Sequence, residues 1–219
     1  MKTKTIISQS IITLIPLLYL IFVWKTLPDM VPTHFDLQFK ADGFGTKFEL
    51  LGIILFTTFI TIGVSVLLLN INRIDPKQIG KELNPRFIKL SWVISIFLTL
   101  IFILVINKVS NGSNFDNSEK YFTALVCLLF AVMGNFMNNL KPNYFFGVRT
   151  PWNLSDEENW RKTHQLTSKL WFYCGLALVI LVFILPKSLS TITILICLAS
   201  MCVIPFFYSY LLFKEKQSV

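Results

Sequence analysis

Six long apolar stretches, each free of Lys, Arg, Asp and Glu, leave this chain few ways to fold in water. They run over Ile6–Trp24, Leu50–Leu69, Leu90–Ile106, Tyr121–Met137, Leu170–Leu185 and Leu189–Phe213. A helix rises about 1.5 Å per residue, so roughly 20 apolar residues cross the ~30 Å hydrocarbon core. The three shortest stretches lie at the lower limit of about 17 residues and need a turn from their flanks. One charge at a helix centre costs about 2.5–3.5 kcal/mol on insertion. All six stretches avoid it. The expected fold is all-α: a polytopic membrane protein with six transmembrane helices, resident in the cell membrane.

Composition agrees, with 54% hydrophobic and only 15% charged residues, against about 25% charged in soluble domains. The net charge of +8 invites a nucleic-acid reading, but the Lys and Arg residues lie between the apolar stretches. They read as topology signals and lipid-headgroup contacts instead, with no direct nucleic-acid partner. With both termini inside, fourteen of the 20 basic residues fall on the inner side, as the positive-inside rule favours. Both termini and the 138–169 loop are then cytoplasmic, and the 25–49 loop is external.

The first stretch has a basic start, but it is longer than a signal-peptide core and ends without a small-residue cleavage site, so it reads as a retained span. Little chain remains for a separate soluble domain. The expected organisation is a single membrane domain over 1–219, with an N-terminal two-helix region at 1–70. Cys127, Cys174, Cys197 and Cys202 all lie in spans without metal or redox spacing, so they read as packing residues.

Two loops carry more than a connector needs. The outer one contains Leu27-Pro28-Asp29-Met30-Val31-Pro32-Thr33-His34-Phe35-Asp36 and then Ala41-Asp42-Gly43-Phe44-Gly45-Thr46-Lys47. Pro28 and Pro32 push their neighbours toward extended backbone, while Asp42-Gly43 and Gly45 read as turn residues. The expected path is a stiff extended segment, a tight turn and re-entry at Lys47. His34, Asp36 and Asp42 lack regular metal-ligand spacing, so neither a metal nor a cofactor is expected. Two readings of this loop stand: a shaped connector, or a ligand contact.

The inner loop holds Lys141-Pro142-Asn143-Tyr144-Phe145-Phe146-Gly147-Val148-Arg149-Thr150-Pro151-Trp152-Asn153-Leu154. Ser155 through Glu158 reads as a capping box, Ser155 being the N-cap and Glu158 the N3 residue. It opens a short amphipathic helix in the 138–169 loop that runs on into the fifth span. Trp160, His164, Thr167 and Trp171 are spaced 4, 3 and 4 and share one face. That face either lies in the headgroup layer, where Trp is favoured, or belongs to a binding or signalling surface. Arg149 is expected to pair with an acidic partner or a lipid phosphate, because its planar fork suits both.

The string Asn143-Tyr-Phe-Phe-Gly147-Val-Arg149-Thr150-Pro151-Trp152, followed by Leu154, Trp160, Thr163 and His164, resembles the SdpI immunity-protein family, over about 121–213. The outer loop, with Leu27-Pro28, Val31-Pro32, His34-Phe35, Asp42 and Gly45-Thr46-Lys47, looks like the small membrane domain that often precedes it. Asn153 stands where the family commonly has Thr, Phe39 where a Gly is common, and Ala41 where a Pro is common. The resemblance implies a multi-pass protein that protects its own cell from a secreted membrane-active peptide toxin. It also implies a receptor role, holding a cytoplasmic repressor protein at the membrane. It assigns an inner functional segment of Asn143, Gly147, Arg149, Thr150, Pro151, Trp152, Trp160, Thr163 and His164. The matching outer motif is Pro28, Asp29, Pro32, His34, Phe35, Asp42, Gly45 and Lys47.

Two other classes compete. One is a membrane sensor of a lipid or envelope signal. The other is a small-molecule or peptide transporter, which the absence of ionisable groups inside the spans disfavours. Catalysis is not expected, since no Ser, Cys or carboxylate is spaced with His34 or His164 as a known motif.

Overall fold

Each apolar stretch folds as a helix. The computed structural model describes residues 2–36, 41–77, 82–111 and 118–217, with 187–191 described by backbone alone. The helices are α1 (Lys2–Thr13), α2 (Ile15–Val23), α3 (Lys47–Leu69), α4 (Ile71–Ile74), α5 (Pro85–Asn111), α6 (Ser118–Met137), α7 (Pro151–Ser155), α8 (Glu157–Ile184) and α9 (Lys187–Gln217). Among the described residues, six helical segments are long and apolar enough to cross a membrane, α1 and α2 acting together as the first. Only 22–28% of each apolar window is buried within the protein, which leaves apolar side chains available to lipid. Phe22, Phe59 and Ile184 are among the most exposed large apolar residues. The chain is a multi-pass membrane protein.

It forms two compact units, one of Met1–Ile71 with Leu83–Phe122 and the other of Asn72–Glu82 with Thr123–Val219. In the first, α1, α2, α3 and α5 pack together, and polar side chains join the helices along their seams. Gln9 Nε2 donates to Ser91 Oγ (2.7 Å), and Ser65 and Ser95 share a hydrogen bond at 3.1 Å. The first span breaks at Leu14, just before Pro16. Proline has no N–H for the carbonyl four residues back, which here is Ile12. Thr99 Oγ1 donates to that carbonyl at 3.3 Å. A neighbouring Thr thus makes the proline tolerable inside the bilayer. The polar span residues Ser91 and Ser95 therefore serve as interhelical ties, each worth only about 0.6 kcal/mol on average in membranes.

The outer loop adds a small sheet to the expected all-helical fold. Strands β1 (Met30–Phe35) and β2 (Ala41–Thr46) pair antiparallel. Extended backbone around Pro32 and re-entry at Lys47 follow the expectation. Asp42-Gly43 and Gly45 do not form the turn: they lie within β2, where Gly45 faces Val31 and Gly43 faces His34 beside a register shift. Small residues here suit a bulged strand. The connection at 37–40, including Phe39, lies outside the described residues. Val31, fully buried, packs with Leu20, Leu27, Leu50, Ile54 and Ile106, which docks the hairpin on the helix ends. Thr46 and Glu49 form a reciprocal capping box that starts α3.

The second unit is built on α8 and α9, with α6 and the inner loop against them. Its core comprises Cys127, Leu178, Val182, Ile194 and Met201, with Cys174 and Cys197 packed alongside. Three cysteines thus pack as expected, while Cys202 is exposed. At 28 residues, α8 is about 42 Å long, longer than the hydrocarbon core. Its charged first turns through Lys169 stand outside the apolar layer.

Candidate functional site

The inner loop is a folded element held by side-chain bonds to its own backbone. Helix α6 ends at Met137, and Asn139 takes a positive φ of 56°, the left-handed geometry that commonly closes helices. Asn143, fully buried, then organises the turn. Its Oδ1 accepts from the N–H groups of Phe145 (3.0 Å) and Phe146 (2.7 Å), and its Nδ2 donates to Lys141 O. Asp75, also fully buried, accepts from Tyr144 N–H at 3.0 Å and Lys77 N–H at 2.9 Å. The Lys77 ammonium lies 5.5 Å from the Tyr144 ring centre and donates to Leu154 O.

Gly147 has a φ of 114°, which side-chain-bearing residues rarely adopt. A Cβ there would also collide with Nε2 of His164. The close approach has a purpose: Val148 N–H donates to that same Nε2 at 3.1 Å. His164 Nδ1 donates to Trp160 O at 2.7 Å, because a carbonyl can only accept. One ring nitrogen accepts and the other donates, so His164 is the neutral Nδ1–H tautomer. Its ring stacks on Trp160 with centroids 4.1 Å apart, and Trp160 Nε1 donates to Leu140 O at 2.7 Å.

Thr150 caps α7, with Pro151 at the first helical position, where its missing N–H costs nothing. Asn153 completes the cap. Thr150 N–H donates to its Oδ1 at 3.0 Å, Asn153 N–H donates to Thr150 Oγ1 at 3.2 Å, and Nδ2 donates to Val148 O at 2.9 Å. The departure from the resembled Thr is thus a fully bonded residue of this loop.

Ser209, on α9, gathers the rest. Its Oγ donates to Asn159 Oδ1 (2.8 Å), accepts from Trp152 Nε1 (2.9 Å) and shares a hydrogen bond with Thr150 Oγ1 (3.2 Å). Asn159 Nδ2 returns a bond to Ser209 O at 2.9 Å, and Thr163 Oγ1 donates to Asn159 Oδ1 at 3.1 Å. The Trp152 ring stacks on Phe213. One hydroxyl thereby joins α7, α8 and α9.

Two expectations change. The N-cap of α8 is Asp156, one residue later than Ser155; its carboxylate accepts from Glu158 and Asn159 N–H. Ser155 instead ends α7, bonding back to Pro151 O and Trp152 O. The face carrying Trp160, His164 and Thr167 does not lie among headgroups, since all three are buried. Trp171 on that face donates Nε1 to Met201 O at 2.8 Å, the carbonyl that Pro205 leaves without its helical partner. Arg149 is exposed and Nη1 donates to Tyr144 O; among the described residues it forms no ion pair.

Every residue of the expected inner segment belongs to this one assembly. The outer-loop set lies in the other unit: exposed Asp29 pairs with half-buried Lys47 at 3.0 Å, and His34 with Asp42 at 2.6 Å on exposed surface. Asp75, Asn153, Asn159 and Ser209 were missed from sequence. Asn153 and Asn159 carry a cue in their position at the third helical residue and in the first turn; Asp75 and Ser209 carry none.

Residues 139–209 match the SdpI/YfhL protein family. That segment of the chain is SdpI-like. Residues 11–67 match a domain of unknown function, DUF1648. The chain is also similar to Immunity protein SdpI of Bacillus subtilis (strain 168), 28% identical over 119 residues. That match covers 54% of this chain and 57% of the relative, so it spans little more than half of either. No solved structure matches the chain. The SdpI-like segment contains the inner loop, α7 and the α8 and α9 residues that bond to them, from Leu140 through Ser209.

Proposed function

We propose that this chain is a membrane immunity protein that protects its cell from a secreted, membrane-active peptide toxin. The observation that carries the reading is the likeness to Immunity protein SdpI, together with an SdpI-like segment that coincides with the bonded loop assembly. Each unit offers a contact surface. Met30 and Phe44 are exposed on the hairpin, an apolar surface suited to an apolar peptide on the external side. At the cytoplasmic side, the remaining guanidinium donors of Arg149 face outward to meet an acidic surface of a repressor protein or a lipid phosphate. Because Ser209 bonds to α7 and α8 at once, a toxin-induced shift of α9 against α8 would be felt at this loop.

The test is a killing assay in a sensitive host with and without the chain, run beside a reporter for a neighbouring repressor gene. Survival that depends on the chain supports immunity, and toxin-dependent reporter change supports the receptor role. Equal killing with and without the chain, across membrane-active peptides, would sink the reading. Arg149→Ala is expected to abolish the reporter response while leaving the protein in the membrane.

A further inference from the structure

We propose that the cleft between α6 and α8 binds the headgroup of an anionic phospholipid. The cleft measures about 380 Å³, within the range of small-molecule sites. Beside it, at Gly134, the two helices meet backbone to backbone: a Cβ there would lie 2.5 Å from Phe172 N and 3.0 Å from Ser168 O. The walls of the cleft carry Asn135 on one side and Gln165, Ser168 and Lys169 on the other.

The chemistry of the walls selects the ligand. All four of these side chains can donate hydrogen bonds, and among the described residues none is engaged in a side-chain hydrogen bond or ion pair. The lining holds one cation and no carboxylate. A second cleft of about 410 Å³, between α8 and α9, differs here: it contains Glu158 and Glu215, and its Lys162 and Lys216 are already paired. Idle donors around an unpaired ammonium call for a multivalent anionic acceptor, and phosphate meets that need.

Depth selects a lipid as its carrier. Lys169 is the last charge before the apolar run of α8, and Asn135 lies half a turn before the end of α6, so the cleft stands at headgroup level. Phe172 and Tyr173 continue the wall into the apolar layer and are exposed there, a surface for the acyl chains. Aromatic residues favour that boundary.

The full-length protein in neutral detergent is incubated with equal amounts of phosphatidylglycerol and phosphatidylcholine of identical chains, and retained lipid is counted by native mass spectrometry. One Lys near an anionic headgroup predicts about a fivefold preference for phosphatidylglycerol. Lys169→Gln should bring the ratio near one, and Gln165→Leu should lower it. Lys108→Gln, at the end of α5, should leave it unchanged. Equal retention in the unmodified protein overturns the proposal, as does an equal loss in Lys108→Gln. If glycerol phosphate alone displaces the lipid at equal concentration, free phosphate is the ligand and the lipid assignment fails.

Discussion

The backbone N–H of Val148 donates to Nε2 of His164 across 3.1 Å, tying the Gly-Val-Arg-Thr-Pro-Trp turn to the first turns of α8. His164 is 1% exposed, so water cannot replace this bond. His164→Phe would keep the ring stack on Trp160 but orphan a buried N–H, costing about 1–3 kcal/mol. The expected result is a lower Tm in detergent and loss of protection in the killing assay. An unchanged Tm would show that the turn is held by other contacts.

Gly147→Ala should be damaging for two independent reasons. It places a side chain at φ 114° and drives a Cβ into His164. The backbone contribution alone is at least about 1 kcal/mol. Far-ultraviolet circular dichroism should stay helical while thermal stability falls.

Ser209→Ala removes one hydroxyl and leaves Trp152 Nε1, Thr150 Oγ1 and Asn159 Oδ1 each short of a partner. A cost of about 1–3 kcal/mol is expected. Ser209→Ala and Trp152→Phe should then be less than additive in a double-mutant cycle; strict additivity would argue against a shared network.

Trp171→Phe tests the Pro205 bend. It deprives Met201 O of its donor, for a loss of about 0.6 kcal/mol. In a Pro205→Ala background the restored helical N–H should take over that carbonyl, and Trp171→Phe should become neutral. A loss as large in both backgrounds would reject the assignment.

Acidification should loosen the start of α8. The Lys216 ammonium, bonded to Asp156 at 2.7 Å, holds that carboxyl below its ordinary range, and the Asn159 and Glu158 amides act in the same direction. A carboxylate whose folded pKa is depressed contributes stability above the ordinary Asp value of about 3.9. That contribution is lost as pH falls through the lower folded value. The Tm difference between the unmodified protein and Asp156→Asn should therefore be steady from pH 7 to 5 and shrink below about pH 4. Persistence of the full difference at pH 3 would contradict the tie.

The spans were readable because hydrocarbon imposes a length and forbids charge, and both constraints are local. The inner motif was readable as a string, and Gly147 and Pro151 gave the backbone reasons for it. The cap of α8 was misplaced by one residue because Ser155 and Asp156 are both good N-caps. Only the preceding helix, which uses Ser155 as its end, decides between them. Ser209 and Asp75 were illegible for a different reason: the partners that tie them to the loop are 50 to 69 residues away. Ser209 also lies within an apolar run, where a hydroxyl looks incidental. The hairpin was half legible. Pro32 announced extended backbone, but pairing across the 37–40 connection depends on docking Val31 into the helix ends.

Pro205 stands one helical turn before Ser209 on α9. Any flexing at that proline swings the last three turns of the helix like a lever, carrying the hydroxyl that Thr150, Trp152 and Asn159 all hold. With the pivot in the apolar run and the load near its edge, a disturbance felt at Pro205 would be carried to that hydroxyl without any ionisable group crossing the membrane.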